Sequence, residues 1–570
     1  MSNPIHKYFN LQLMRILNTI ILSAFVSLLA AQPVLVKNIK PGLSSGILLG
    51  AAQSYLVGNT LYFTADDGIT GEELWKSDGT EAGTMLVYDI CNCSSIDGAG
   101  DFYTSYNDQL YLVGQTTEYG SEVWRTDNGP DGAVLLFDAC PGDCSGAEFA
   151  EYSPLAVYKD KLFLNLGTTL GKELWVSDGT TAGTMLLKDI NPNSSDSRPR
   201  GLTVFKDKLY FSADSANLGN ELWVSDGTTA GTTMLKNINP SNFGSADIRE
   251  LVAGEEALYF WAYESGNTGR ELWKSDGTVA GTVMVKDINP GFSNGAPDYV
   301  PLTNSIWLDG KLFFVANDGT AGEELWLTDG TETGTVLLKD INTGAANSNI
   351  QFLSIIDGKV FFRANDGTNG NELWSTDGTE AGTQLVKNIN PGTQDGLHFS
   401  TVNFTVFQNK MLFTANDGAT GREIWLTDGT AAGTQLFSDV NLGAQESIPS
   451  DYHLIGNSLL FFAQTQPTGR ELWKYDLTTI SANEPLQNLT ANIWPTTSND
   501  GFFTLQVESE AAETFRLEAF NLTGRMYHSQ NVQSGAQQLN LSTLPSGTYF
   551  VRLTPKGATT GLVFRVSVIK

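Results

Sequence analysis

A 20-residue segment occurs nine times along the chain, and this repetition restricts the fold more than any other feature. Its first copy is "GEELWKSDGTEAGTMLVYDI", from Gly71 to Ile90. The copies are separated by 48 to 53 residues when they are aligned on their tryptophans, Trp75, Trp124, Trp175, Trp223, Trp273, Trp326, Trp374, Trp425 and Trp473. A period near 50 residues is typical of a solenoid or a propeller.

Each unit predicts four short strands. In residues 202–238 the segments "LTVF", "KLYFSAD", "ELWVS" and "TTMLKNI" are apolar or alternating, and turn-rich loops separate them. A helical period of 3.6 residues is not present in this unit. Four antiparallel strands in about 50 residues are typical of one propeller blade.

The phase of the repeat predicts how the chain ends meet. "VLVKNI" (Val34 to Ile39) copies the fourth strand of a unit, whereas the last unit stops at "ELWKYDL" (Glu471 to Leu477) without that strand. The first strand can therefore complete the last blade and cover the sheet edges. We expect an all-β chain: a β-propeller of about eight or nine four-stranded blades closed by the N-terminal strand, followed by a small antiparallel β-sandwich.

Two other arrangements are compatible with this repeat. One is an open solenoid, and the other is a pair of smaller rings, because propellers usually have four to eight blades. The copy from Gly120 to Ala139 is the weakest match and could lie outside a ring.

Every copy has Gly four residues before the Trp, Glu two before it and Asp three after it. In a strand the Glu and the Trp point to one face and the intervening aliphatic residue to the other. We interpret the tryptophans as core residues, with stacking platforms for sugars as the alternative. The structural positions of this motif include Glu73, Trp75, Asp78, Glu173, Trp175, Asp178, Glu271, Trp273, Asp276, Glu372, Trp374 and Asp377.

The repeated aspartates are predicted to form turns. Asp78 in "SDGTEAGT" can accept hydrogen bonds from nearby backbone N–H groups, and Gly79 can adopt a positive φ. The alternative is that these aspartates, with Asp318, Asp366 and Asp417, bind Ca²⁺ through carboxylate oxygens. We expect no cofactor, because the sequence contains neither an EF-hand spacing nor a glycine-rich calcium nonapeptide.

The nine glutamates are predicted to make one repeated structural bond. A buried carboxylate needs a partner, which could be backbone N–H, Ser, Thr or the frequent Lys of "KDI". A catalytic residue would normally occur once. The chain has four histidines, and it contains no HExxH motif, Walker loop or dinucleotide fingerprint. We therefore expect a protein that is not an enzyme.

The four cysteines lie at matching places in two successive units, Cys91 and Cys93 in "CNC" and Cys140 and Cys144 in "CPGDC". Disulfides are expected in an exported chain, and four cysteines allow three pairings. A four-thiolate metal site is the alternative.

The composition disfavours anionic partners. The chain has 63 acidic and 34 basic residues, so its formal net charge is −29. Such a surface repels phosphate backbones and anionic headgroups. We expect no nucleic-acid partner, and cations or neutral glycans suit the surface better.

The two ends of the chain differ from the repeat. Basic residues precede the apolar run from Ile16 to Ala31, which is shorter than a spanning helix and is typical of a cleaved signal. We assign residues 1–31 to a signal peptide, 32–476 to the repeat propeller, 477–488 to a linker and 489–570 to a C-terminal domain. No membrane span is expected after the signal.

Units such as Glu173 to Pro192 and Glu271 to Gly291 resemble the ELWxxDGT-repeat proteins exported by Bacteroidota. The resemblance covers roughly residues 34–477, and this family implies no particular activity.

The tail resembles the type A C-terminal sorting domain of the type IX secretion system. The resemblance rests on "NLTGR" (Asn521 to Arg525), on "LSTLPSGTYFVRL" (Leu541 to Leu553) and on the terminal strand, and Leu544, Gly547 and Tyr549 fall on characteristic positions. It implies that the outer-membrane translocon is a partner and that the mature protein is released or fixed to the cell surface.

We expect a secreted or surface-displayed binding or adhesion protein whose ligand is an extracellular glycan or protein. The alternatives are an extracellular hydrolase or lyase that acts on glycans and a structural surface-layer protein.

Overall fold

The computed structural model describes residues 32–49, 54–91, 98–127, 132–142, 144–147, 155–216, 218–241, 244–265, 268–297, 305–398, 404–466, 468–477, 490–494, 497–498, 501–508, 514–521, 526–555 and 562–568. The signal assigned to residues 1–31 lies outside these residues, as does the linker after Leu477. The described residues form strands, turns and loops without an α-helix, and none of their segments is a helix able to cross a membrane.

Thirty-six strands form nine four-stranded antiparallel sheets, one for each copy of the repeat. Sheet 1 contains β2 (Ser54–Val57), β3 (Thr60–Asp66), β4 (Glu72–Ser77) and β5 (Met85–Tyr88). Sheet 2 contains β6 (Ala99–Tyr106), β7 (Gln109–Thr116), β8 (Gly120–Thr126) and β9 (Ala133–Phe137). Sheet 3 contains β10 (Leu155–Tyr158), β11 (Lys161–Thr168), β12 (Gly171–Ser177) and β13 (Met185–Lys188).

Sheet 4 contains β14 (Arg200–Phe205), β15 (Lys208–Ser215), β16 (Gly219–Ser225) and β17 (Thr233–Lys236). Sheet 5 contains β18 (Arg249–Ala253), β19 (Leu258–Tyr263), β20 (Arg270–Ser275) and β21 (Val283–Lys286). Sheet 6 contains β22 (Ile306–Leu308), β23 (Lys311–Asn317), β24 (Glu323–Thr328) and β25 (Val336–Lys339).

Sheet 7 contains β26 (Gln351–Ile356), β27 (Lys359–Asn365), β28 (Asn371–Thr376) and β29 (Gln384–Lys387). Sheet 8 contains β30 (Thr405–Phe407), β31 (Lys410–Asn416), β32 (Arg422–Thr427) and β33 (Gln435–Ser438). Sheet 9 contains β34 (Ser450–Ile455), β35 (Ser458–Thr465), β36 (Gly469–Asp476) and, from the other end of the chain, β1 (Val34–Lys37).

The first strand completes the last sheet. β1 pairs antiparallel with β36, with Val34 opposite Lys474 and Leu35 opposite Trp473. The first strand of sheet 1 (β2) also meets β34 of sheet 9, because Ser54 Oγ lies 2.8 Å from His453 Nε2. The predicted partnership between the first strand and the last unit is therefore present.

Side chains alternate between the two faces of each sheet, as the two-residue period of a strand requires. Trp75 packs with Phe63, Leu460 and Phe462 toward sheet 9, whereas Leu74 packs toward sheet 2. A register shift between the Leu and the Trp occurs where β5 pairs with β4. Both faces of sheet 1 are thus covered by neighbouring sheets.

Nine apolar clusters join the sheets in a cyclic order. Eight of them join successive sheets from sheet 1 to sheet 9. The ninth joins sheet 9 to sheet 1 through Val36, Leu460, Phe462 and Trp75. The first strands of several neighbouring sheets also contact one another. This arrangement is all-β and propeller-like, and the weak copy from Gly120 to Ala139 takes part in it as sheet 2.

The C-terminal residues form two sheets with one shared core. The three-stranded sheet has the order β37, β39, β42, and the five-stranded sheet has the order β38, β44, β43, β40, β41. The strands are β37 (Thr490–Trp494), β38 (Thr497–Ser498), β39 (Phe502–Glu508), β40 (Thr514–Asn521), β41 (Met526–Gln533), β42 (Gly535–Asn540), β43 (Gly547–Pro555) and β44 (Leu562–Val568).

Apolar side chains from both C-terminal sheets meet in this core, including Leu505 and Leu539 from the smaller sheet and Leu517 and Val551 from the larger one. The result is a β-sandwich. Its described strands pair antiparallel, as expected, apart from β38 and β44, which are parallel.

Candidate functional site

The glutamate two residues before each repeated tryptophan is fully buried and bonded to backbone. Glu372 accepts hydrogen bonds from the N–H of Ile389 at 2.9 Å and of Asn390 at 3.0 Å. Equivalent bonds reach Glu73, Glu122, Glu173, Glu221, Glu271, Glu324, Glu423 and Glu471. The donors follow the fourth strand of the same sheet, so each Glu fixes the chain as it leaves one sheet for the next.

A small residue in the connecting loop permits this close approach. A Cβ placed on Gly396 would lie 2.4 Å from Glu372 Oε2, so a side chain at this position would require Glu372 to shift. Ser197 and Ser447 occupy the same place in other loops, and their hydroxyls donate to Glu173 at 2.7 Å and to Glu423 at 2.6 Å. The loop position is therefore Gly, Ser or Ala, because it faces the buried carboxylate.

Burial perturbs these carboxylates. Loss of hydration raises the pKa of Glu73, Glu122, Glu221, Glu271, Glu324, Glu423 and Glu471 to about 7 and that of Glu372 to about 8. The pKa of Glu173 is also raised by burial. The backbone donors act in the opposite direction, because they stabilise the ionised form.

These raised pKa values predict that the folded protein is most stable in mildly acidic solution. A raised pKa contributes stability that is fully present below the ordinary value of 4.5 and is lost as the pH rises through the folded value. We expect the thermal midpoint to fall between pH 4.5 and about pH 8. Thermal unfolding followed by circular dichroism measures this slope. Glu372→Gln, which cannot ionise, should reduce this slope by the contribution of one carboxylate among the nine, and an unchanged slope would contradict the assignment.

Eight of the nine repeated tryptophans are buried core residues in the structure, and Trp473 is half-buried. Trp75, Trp273 and Trp374 are only 6%, 3% and 7% exposed, and Trp75 lies between two sheets. A ring in this position cannot stack on a ligand in solution. The alternative of a sugar platform at these positions is therefore wrong.

The repeated aspartates cap the turns between the third and fourth strands. Asp276 Oδ1 accepts hydrogen bonds from Thr278 N at 2.8 Å and Thr278 Oγ1 at 2.7 Å, and Asp78, Asp178 and Asp377 make the same pair of bonds. The bond from the Thr80 hydroxyl lowers the pKa of Asp78. Among the described residues, no three His, Cys, Asp or Glu side chains are grouped so that they could hold a metal ion.

The lysines of the fourth strands connect neighbouring sheets, a role that the sequence interpretation missed. Lys286 Nζ donates to the carbonyl of Thr335 at 2.8 Å, and Lys339 Nζ donates to that of Thr383 at 2.7 Å. Lys37 in β1 donates likewise to Thr84 in sheet 1. These lysines bind the next turn and not the buried glutamates.

The cysteines form a disulfide within the second unit. Cys140 and Cys144 are bonded to each other, and Cys91 is also disulfide-bonded. Cys93 lies outside the described residues. The alternative in which four thiolates share a metal is wrong, because these sulfurs are oxidised.

The three characteristic residues of the tail lie together at the start of β43. Leu544 and Tyr549 are 4% and 3% exposed and belong to the core of the sandwich. The hydroxyl of Tyr549 donates to the carbonyl of Pro545 at 2.9 Å, and Gly547 begins the strand. This corner is held by both apolar packing and a hydrogen bond.

A polar groove of about 360 Å³ lies among the loops of sheets 7 to 9. We call it the 398–446 groove. The loop after β29 contributes Asp395 and His398, the facing ends of β31 and β32 contribute Asn416 and Arg422, and the loop after β33 contributes Glu446. Arg422 Nε donates to Glu446 Oε2 at 3.0 Å. Burial lowers the pKa of His398, and the charge of Arg422 acts in the same direction.

The sequence interpretation did not identify the 398–446 groove. Its lining residues span 56 positions, from Asn390 to Glu446, and neither His398 nor Glu446 belongs to the 20-residue repeated segment. The available signal was the occurrence of a histidine, His398, and a glutamate, Glu446, at loop positions where no other unit carries that residue. Such departures become visible only after the loops have been aligned.

The comparisons with known proteins agree with the interpretation of the tail. Residues 492–563 match the family described as the secretion system C-terminal sorting domain. No curated protein sequence matches the chain. Because the family match covers only the tail, it describes the C-terminal sandwich and not the nine sheets.

Solved structures resemble the chain only distantly. PorZ, a surface component of the type IX secretion system of Porphyromonas gingivalis, has 12% identity and a TM-score of 0.28, with 91% of this chain and 75% of that chain covered. A puromycin hydrolase has 11% identity and a TM-score of 0.35, with 76% and 62% covered. Prolyl oligopeptidase B from Galerina marginata has 12% identity and a TM-score of 0.34, with 66% and 55% covered. The C-terminal domain indicates export by the type IX secretion system to the cell surface or beyond the cell.

Proposed function

We propose that the chain is a binding or adhesion protein that is exported by the type IX secretion system and displayed on the cell surface or released. The observation that carries export is the match of residues 492–563 to a sorting domain. In this proposal the nine sheets are the passenger, and residues 489–570 are the part that the outer-membrane translocon recognises.

The passenger is proposed to be a closed propeller of nine blades. The cyclic order of the nine apolar clusters supports closure, as does the pairing of β1 with β36. Such a ring presents a rigid rim of loops, which is a suitable support for recognition. The 398–446 groove opens among these loops.

A binding role is proposed in preference to catalysis. The repeated glutamates are buried and engaged by backbone donors, for example Glu372 with Ile389 and Asn390. The repeated aspartates are engaged by threonines in their own turns. Structural bonds thus account for the carboxylates of the motif, which leaves the variable loops as the place where function differs from unit to unit.

Removal of residues 489–570 is expected to prevent export. We expect the amount of repeat region outside the cell to fall at least tenfold, because the translocon no longer recognises the chain. The protein that is not exported should accumulate in the periplasm. Immunoblotting of cell fractions measures this. Fusion of residues 477–570 to a periplasmic reporter is the control and should export it. Undiminished export of the shortened chain would overturn this part of the proposal.

The binding part is tested by attachment of cells to surfaces. We expect cells that lack the protein to attach less to polysaccharide-coated or protein-coated surfaces than cells that carry it, and reintroduction of the full chain should restore attachment. Equal attachment in both strains, with the protein verified on the surface, would refute an adhesive role.

A further inference from the structure

The 398–446 groove brings Arg422 together with two residues that no other unit carries at the equivalent loop position, His398 and Glu446. Each connecting loop can be aligned on the Gly, Ser or Ala that faces the buried glutamate, because this residue makes the same backbone hydrogen bonds in the different units. His398 lies two residues after this position in its loop, and Glu446 lies one residue before it in the next loop. His398 is then the only histidine at its position, where Leu48, Pro199, Pro297 and Ile350 stand elsewhere. Glu446 is likewise the only glutamate at its position.

The pair of Arg422 and Glu446 replaces a bond that other units use for structure. In other sheets the side chain at the Glu446 position accepts the backbone N–H of the residue at the Arg422 position. Asp395 accepts the N–H of Asn371 at 2.9 Å, and Asn347 accepts that of Glu323 at 2.9 Å. Glu446 instead accepts from the guanidinium of Arg422. The repeat does not need this ion pair for its fold, and it places two longer side chains in the groove.

The loop that forms the floor of the groove is held by hydrogen bonds to neighbouring side chains. Arg363 is 4% exposed and donates through Nε to the carbonyl of Leu397 at 3.0 Å. Asp395 also accepts from Asn371 Nδ2 at 2.9 Å, and Asn390 Nδ2 donates to the carbonyl of Asp395 at 3.2 Å. The loop that carries His398 is therefore fixed before any ligand arrives, which reduces the entropic cost of binding.

The lining combines donors and acceptors with little net charge. Arg422 and the side-chain amides of Gln394 and Asn416 can donate, and the oxygens of Asp395 and Glu446 can accept. A hydroxyl group both donates and accepts, so a ligand with several hydroxyls can satisfy such a lining. An anionic ligand is disfavoured because the chain carries a net charge of −29 and Arg422 is already paired. A volume of 360 Å³ is at the lower end of the usual range for ligand pockets.

We propose that the 398–446 groove binds a neutral saccharide unit of an extracellular glycan. This inference rests on the proposed binding function and names the class of its ligand. Arg422 and Glu446 contact adjacent hydroxyls as a pair, His398 contacts the ring from the opposite loop, and Asp395 accepts a further hydroxyl hydrogen.

The test uses the full-length chain and a panel of neutral methyl glycosides of glucose, galactose, mannose and N-acetylglucosamine. Saturation-transfer NMR detects contact, and titration calorimetry gives the dissociation constant. The triple variant His398→Leu, Arg422→Asn and Glu446→Asp introduces residues that other units carry at these positions, Leu48, Asn371 and Asp395, so it should fold. We expect at least one glycoside to bind and the triple variant to bind it at least tenfold more weakly.

Arg270→Asn is the matched control, because Arg270 occupies the Arg422 position in sheet 5. It should bind the glycoside as the unchanged chain does. Each of three results would overturn the inference. They are the absence of saturation transfer to every glycoside, equal binding of the glycoside by the triple variant, and binding of an unglycosylated peptide in the groove in place of a sugar. The two proposals fail separately: a glycoside that binds the groove in a protein without effect on cell attachment would overturn adhesion alone, and a protein that supports attachment but binds no glycoside would overturn the saccharide site alone.

Discussion

Val36→Asp is expected to unfold the junction between the first and last sheets and to lower the free energy of unfolding by at least about 3 kcal/mol, because it buries a charge without a partner. Val36 is 6% exposed and packs against Leu460 and Phe462. Its strand also brings the N–H of Ile39 to the buried Glu471 at 2.9 Å. If β1 detaches to avoid the buried charge, Glu471 loses this donor and the edge of β36 is exposed.

Val34→Asp is the control for this prediction. Val34 lies in the same strand but is 61% exposed, so the same substitution should change stability by less than about 0.5 kcal/mol. Denaturant unfolding of the full chain measures both variants, and hydrogen exchange at Trp473 and Lys474 reports whether β1 has left β36. Similar losses in the two variants would show that β1 does not hold the last sheet through its buried side chain.

Glu372→Ala is expected to be the most damaging change within a single unit. It removes the acceptor of two N–H groups, the buried one of Ile389 and the partly buried one of Asn390, and it leaves a cavity where the side chain was. An unsatisfied buried donor costs about 1 to 3 kcal/mol, so we expect a total loss of about 3 kcal/mol or more.

The matched control for Glu372 is Glu380→Ala in the next turn of the same sheet. Glu380 is exposed, and its side chain takes no part in the bonds of the turn, where its backbone carbonyl accepts from Thr383. This variant should lose less than about 0.5 kcal/mol. Denaturant titration at pH 7 compares the two. A loss at Glu372 no greater than at Glu380 would mean that the buried carboxylate does not organise the loop.

Much of the architecture was predictable because the same pattern of apolar and turn residues occurs in nine units. The strand order, the placement of Trp75 and Leu74 on opposite faces and the pairing of β1 with the last unit follow from the two-residue alternation and from the phase of the repeat. The tail was predictable for a different reason, since its matched residues 492–563 carry a family pattern.

The partners of the buried residues could not be predicted in the same way. The sequence offered Lys, Ser, Thr or backbone as partners of the glutamates, and only the path of the loop after the fourth strand brings the N–H of Ile389 to Glu372. The parallel pair of β38 and β44 joins the two ends of the tail and leaves no local pattern. The 398–446 groove depends on three loops that are distant in sequence, so it required their positions in space.

The bond between Ile39 and Glu471 spans 432 residues, whereas the equivalent bond of Glu372 spans 17. In an otherwise unstructured chain, closing the longer loop would cost about 3 kcal/mol more in chain entropy. When the sheets pack one after another along the chain, each added sheet shortens the remaining distance between β1 and β36. The contact between sheets 9 and 1 is therefore the last to become favourable. A polypeptide that emerges from a membrane pore with its N-terminus first would therefore hold β1 unpaired until residue 476 had passed. Completion of the fold would then coincide with the arrival of the tail that follows it.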